Sequence, residues 1–109
     1  MGVSTNVYTV YGVRHDWDEE FSEAYDDVYE DLEQFVILDG MSGEYIVIGE
    51  ILFDSGDSRW EPMAGFSNID ISDLPQKRAD VERAFAEKLP SHTRMLEGDW
   101  SLMTFVHYH

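Results

Sequence analysis

The chain contains no cysteine, which excludes a disulfide framework and a thiolate-ligated zinc site. It has only two lysines, and from Asp16 to Asp57 it has neither lysine nor arginine. A segment without cations repels nucleic acid and acidic membranes, so direct nucleic-acid binding and membrane binding are excluded there. Long apolar runs are also missing: the best, Tyr45 to Phe53, is interrupted by Gly49 and Glu50 and falls far short of the ~18 residues of a membrane span. The N-terminus lacks the basic-then-apolar pattern of a signal peptide, so the expected location is cytoplasmic.

What is present is acid. The 109 residues carry a formal charge of −16, and fifteen Asp and Glu lie between Asp16 and Asp57. Residues 1–58 hold those fifteen against the single base Arg14, whereas residues 59–109 hold eight acids against six bases. Such a polarised anionic surface attracts basic grooves and points to a binding protein with a cationic partner. A hydrophobic content of 43% is enough for one buried core, so residues 1–109 are read as a single acidic domain.

Hydrophobic periodicity gives the order of elements. Val7 to Val13 alternates two sets rich in β-branched and aromatic residues and is read as a strand. From Trp17 the apolar step changes to three and four residues, through Phe21, Ala24, Tyr25, Val28, Leu32 and Phe35. That predicts one amphipathic helix with Asp16 as N-cap. Phe35 to Leu38, a turn at Asp39-Gly40-Met41-Ser42-Gly43, and Glu44 to Phe53 read as a hairpin. Residues 54–71, punctuated by Gly56, Pro62 and Gly65, read as a long loop packed partly on the core. Ser72 or Asp73 is placed to cap a second helix with Pro75 in its first turn, an apolar face of Leu74, Val81, Ala84, Phe85 and Leu89, and an end at Pro90. Trp100 to Tyr108 alternates again as a final strand.

This β-α-β-β-α-β order predicts an α+β fold, specifically a ferredoxin-like sandwich with two helices on one face of a four-stranded antiparallel sheet. Tyr45, Val47, Ile51 and Phe53 oppose Ile46, Ile48 and Leu52, so the second sheet face is apolar too and requires a cover. The 54–71 segment, a homodimer partner on the open sheet face, and the biological target are the three candidates.

Opposite the apolar stripe of the first helix lie Glu19, Glu20, Glu23, Asp26, Asp27, Glu30, Asp31 and Glu33, with no lysine or arginine at i,i+4 to pair them. On a continuous helix the row Glu19, Glu23, Asp26, Glu30, Glu33 advances roughly 5–6 Å per carboxylate, comparable to the spacing of phosphates on a nucleic-acid strand. Asp18, Glu19, Glu23, Asp26, Asp27, Glu30 and Glu33 are therefore the candidate partner-binding carboxylates. Tyr29, off the stripe, is a ring placed to stack on a partner's arginine. In charge and length the chain resembles the small acidic inhibitors of phages and mobile elements, the DNA-mimic anti-restriction and anti-CRISPR proteins. That resemblance covers the acidic segment 16–57 and implies stoichiometric, non-catalytic blockade of a nucleic-acid-binding protein, in the host cytoplasm if the chain is phage-encoded. The competing reading is a housekeeping domain of a salt-adapted organism, which binds a small molecule or dimerises.

Other constellations carry less. His15, Asp16 and Asp18 offer an imidazole and carboxylates for a divalent cation, but the run fails the EF-hand spacing and helix capping explains the same residues. His107 and His109 share a strand face at metal-ligand spacing, yet the topology puts them near Asn6 rather than His15, and solvent exposure is the expectation. Asp54-Ser55-Gly56-Asp57-Ser58 reads as turn chemistry. No P-loop or nucleophile-elbow motif occurs, so no catalytic residue, metal or cofactor is assigned.

Overall fold

A computed structural model describes residues 5–56 and 68–108. Most of the loop expected over 54–71 lies outside them. The strands are β1 (Thr5–Asp16), β2 (Val36–Leu38), β3 (Tyr45–Asp54) and β4 (Ser101–Tyr108). The helices are α1 (Glu19–Asp26), α2 (Tyr29–Leu32) and α3 (Leu74–Lys88), with 3-10 segments at Glu33–Phe35 and Pro90–Leu96. The fold is α+β, with a four-stranded sheet ordered β2-β3-β1-β4 in which every pairing is antiparallel.

Three local expectations are corrected. β1 runs on to Asp16, so Asp16 is a strand residue and Asp18 is the N-cap of α1, its carboxylate accepting the Phe21 N–H at 3.0 Å. The single helix from Trp17 is broken after Asp26: Val28 leaves helical geometry and the chain restarts at Tyr29. Like charges at 23 and 27, 26 and 30, and 27 and 31 would repel along a continuous helix, and the break relaxes that register. It still buries Phe21, Tyr25 and Leu32 on one side. Asp73 does occupy the N-cap of α3, but it is left-handed (φ 55°) and makes no side-chain cap bond. After Leu89 the chain does not leave the core, because His92, Met95 and Leu96 on the unforeseen 3-10 segment are buried.

The main core lies between the helices and one sheet face: Phe21, Tyr25, Leu32, Val81, Phe85, Leu89, Met95 and Leu96 meet Val13, Val36, Ile46 and Ile48. Phe21 and Phe85 stack nearly parallel with centroids 6.1 Å apart. A second cluster, Val10, Ile37 and Val47 with Tyr8, Tyr45, Ile51, Met103 and Phe105, occupies the other face and is made entirely of strand residues. Val10 and Val47 are nonetheless only 1% and 2% exposed.

The sheet itself supplies cover. Asp16 pairs with Tyr45 and Asn6 with His107, ten positions apart on β1. A straight strand would separate those positions by roughly 33 Å, at about 3.3 Å per residue. Yet the Tyr45 hydroxyl lies 2.8 Å from His107 Nδ1, and the Tyr45 ring meets Phe105 at 5.9 Å. β1 must therefore bend sharply, and Gly12 sits between the two ends, paired with Gly49 on β3. A Cβ on Gly12 would overlap the Ile48 carbonyl oxygen and come within 2.8 Å of the Gly49 Cα, so the two backbones touch where side chains normally stand. A bulge leaves Leu52 unpaired between Ile51 and Phe53 and adds to the curl. The face that required a cover is concave and partly closes on itself.

Candidate functional site

The acidic surface is built on α1, the break and α2. Glu19 and Glu20 stand in the first turn of α1, where carboxylates meet the positive end of the helix dipole. Glu19 also accepts the Trp17 indole N–H at 2.8 Å, which fixes the ring against the main core. Asp26 and Asp27 stand at the opposite end, where the dipole is negative, and the last turn contains no base. Structural economy does not account for acids there.

Among the described residues, bases from the second half of the chain reach only the inner rim of this surface. Arg94 lies 3.7 Å from Asp18, His92 3.7 Å from Glu20, and Lys88 3.7 Å from Asp31. These tertiary pairs were invisible to an i,i+4 reading. Glu23, Asp26, Asp27, Glu30 and Glu33 are exposed, and among the described residues no lysine, arginine or histidine lies within 4 Å of them. Their field is felt inside: the Tyr25 phenol is pushed up to about 12, first by burial and then by the charges of Glu33 and Asp26 and by Tyr29. Tyr29 stands off the apolar stripe as expected, 47% exposed. At the break, Asp26, Asp27, Tyr29, Glu30 and Asp31 line a notch of about 210 Å³. The even pitch expected for five carboxylates is corrected: Glu19, Glu23 and Asp26 share α1, whereas Glu30 and Glu33 follow on a separate axis.

The other candidates are dispersed. His15 Nε2 lies 2.6 Å from the Met95 carbonyl oxygen and Asp18 caps α1, so neither is directed at a shared ion. His107 pairs with Asn6 as the topology required, but it is buried, contrary to the expected exposure, because the curled sheet brings Tyr45 onto it; His109 lies outside the described residues. Asp54 accepts from Asn6 Nδ2 at 2.6 Å and from the Gly56 N–H at 2.9 Å, and Ser55 Oγ accepts from the Val7 N–H at 2.8 Å, so the described part of that loop is occupied with turn and strand-end bonds. Among the described residues no three of His, Asp and Glu gather in a geometry suited to a metal ion.

Two features escaped sequence reasoning. The concave face holds a cavity of about 280 Å³ lined by Arg14, Glu44, Tyr45, Val47, Met103, Phe105 and Val106, with the Arg14 guanidinium 5.8 Å from the centre of the Tyr45 ring. Its only sequence signal is the pair of strand glycines. Glu50 faces Asp80 of α3, and its carboxyl is raised, first by burial and then by the Asp80 charge, with Lys77 partly opposing. Comparison of the chain with known protein families, with curated proteins and with solved structures found no match.

Proposed function

We propose that the chain is a non-enzymatic acidic binding protein that occupies a basic, nucleic-acid-binding groove of a partner protein, as a DNA or RNA mimic and inhibitor. The observation that carries this reading is the set of exposed carboxylates Glu23, Asp26, Asp27, Glu30 and Glu33, which have no basic neighbour among the described residues although three other acids of the same run do. Like charges held together on a fold raise its free energy, and a partner's lysines and arginines would relieve that cost. Asp18 and Glu19 border the surface, and Tyr29 offers an aromatic face for an arginine. Turnover of an anionic substrate is disfavoured here because such chemistry needs cations at the reacting charge, and residues 15–58 contain no lysine or arginine. A cytoplasmic location agrees with a partner that handles nucleic acid. The ferredoxin-like reading of the scaffold is supported by the strand order β2-β3-β1-β4 and by helical segments in both long connections.

The test is capture with competition. Immobilised chain is expected to retain nucleic-acid-binding proteins that duplex DNA or RNA then displaces, with affinity falling steeply as salt rises. The triple reversal Glu23→Lys, Asp26→Lys, Glu30→Lys should lose capture and keep its melting transition. Capture that survives the reversal, or that nucleic acid does not compete, overturns the reading. The small-molecule alternative draws its support from the 280 Å³ cavity beside Arg14.

A further inference from the structure

β4 is an edge strand: among the described residues it pairs with β1 on one side and with nothing on the other. Exposed edges are ordinarily blunted by charge, proline or shortness. β4 runs eight residues, SLMTFVHY, without a lysine, arginine, aspartate, glutamate or proline. On a chain of −16 this is where a second copy can approach without setting carboxylate against carboxylate. Its side-chain pattern is apolar as well. Leu102, Val106 and Tyr108 are 49%, 45% and 54% exposed; alternation with Met103, Phe105 and His107 of the concave face puts them on the helix-bearing side of the sheet, beyond β1, β2 and β3, which the helices cover.

We propose that a second copy of the chain docks on this edge, with the two β4 strands antiparallel across a twofold axis through Thr104. Leu102 then lies opposite the partner's Val106, and Trp100, one residue ahead of the strand, lies opposite the partner's Tyr108. Thr104 meets its own equivalent. Each exposed apolar side chain thus gains an apolar neighbour at cross-strand distance, which favours a second copy over an unrelated strand. One strand pair is small beside the roughly 1,200–2,000 Å² of a standard interface, so the association is concentration-dependent. This surface lies apart from the α1–α2 carboxylates, and the proposal does not rest on the mimic reading.

Sedimentation velocity on the intact chain, from about 5 to about 500 μM, covers the range in which small interfaces form. A species of twice 12.6 kDa is expected, and it should strengthen as salt shortens the screening length from about 10 Å at 0.1 M to about 3 Å at 1 M. Capture of a cationic partner responds to salt in the opposite sense, so the two readings fail separately. Leu102→Lys and Val106→Lys should each give a monomer with an unchanged melting transition. Because the chain is free of cysteine, Thr104→Cys should cross-link under mild oxidation faster than Ser91→Cys, which is exposed on the 3-10 segment away from the β4 edge. A monomer at every concentration and salt, a dimer indifferent to both lysine substitutions, or equal cross-linking at positions 104 and 91 overturns the proposal.

Discussion

At the scale of single residues, the contact between Gly12 and Gly49 decides the shape of the sheet. A Cβ on Gly49 would overlap the Tyr11 carbonyl oxygen and stand 2.6 Å from the Gly12 Cα, and backbone in the middle of two strands has little room to yield. Gly49→Ala is therefore expected to destabilise by about 3 kcal/mol or more in denaturant unfolding. Gly40→Ala, where a Cβ meets nothing within 4 Å, should stay within about 0.5 kcal/mol. Equal effects would remove the close approach as the cause of the curl. The sequence displayed both glycines inside strand-like runs, yet nothing local says that they pair, because their register is set by contacts 37 positions apart along the chain. Tyr25 offers a second test at this scale. Its folded value of about 12 exceeds the ordinary 10, so the unfolded chain loses the phenolic proton first. The stabilisation from Tyr25 is present below pH 10 and is lost as pH rises toward 12. Phenolate absorbance should follow that window, and Asp26→Asn with Glu33→Gln should lower the midpoint only in part, since burial is the larger cause.

Among the elements, α1 and α2 separate what is read from periodicity from what is not. The stripe Phe21, Tyr25 and Leu32 was legible, and all three are buried. The break between them was not, because the same stripe survives when a helix is interrupted and restarted, while repulsion among the carboxylates acts on the axis rather than on the pattern. The tertiary pairs Arg94–Asp18 and Lys88–Asp31 were equally hidden, since they depend on how α3 and the segment after it return to α1 and α2. The acids at the end of α1 set stability against binding. Asp26→Lys places a cation at the negative end of the dipole and three residues from Glu23, and should stabilise the fold by about 0.5–1 kcal/mol. The same substitution should weaken capture of a basic partner. A loss of stability instead would assign Asp26 a structural role and withdraw it from the candidate surface.

Across the whole molecule, charge is distributed more selectively than the formal −16 implies. Among the described residues the acids nearest α3 are met by bases and those on the outer side of α1 and α2 are not, and β4 carries no acid. Salt adaptation would spread acids over every face, because its benefit is general hydration rather than a particular contact. Melting temperature across salt separates the two origins. Repulsion among exposed acids weakens as the screening length falls, so some rise in melting temperature with salt is expected in either case. The informative quantity is the low-salt end. With two apolar clusters and a four-stranded sheet between them, the fold is expected to remain intact in dilute buffer, its melting temperature rising by only a few degrees on going to molar salt, as expected when about 1 kcal/mol is recovered in a domain of this size. A chain that unfolds in dilute buffer and requires molar salt would place the carboxylates in the service of salt tolerance, and Glu23, Asp26, Asp27, Glu30 and Glu33 would lose their claim to a partner.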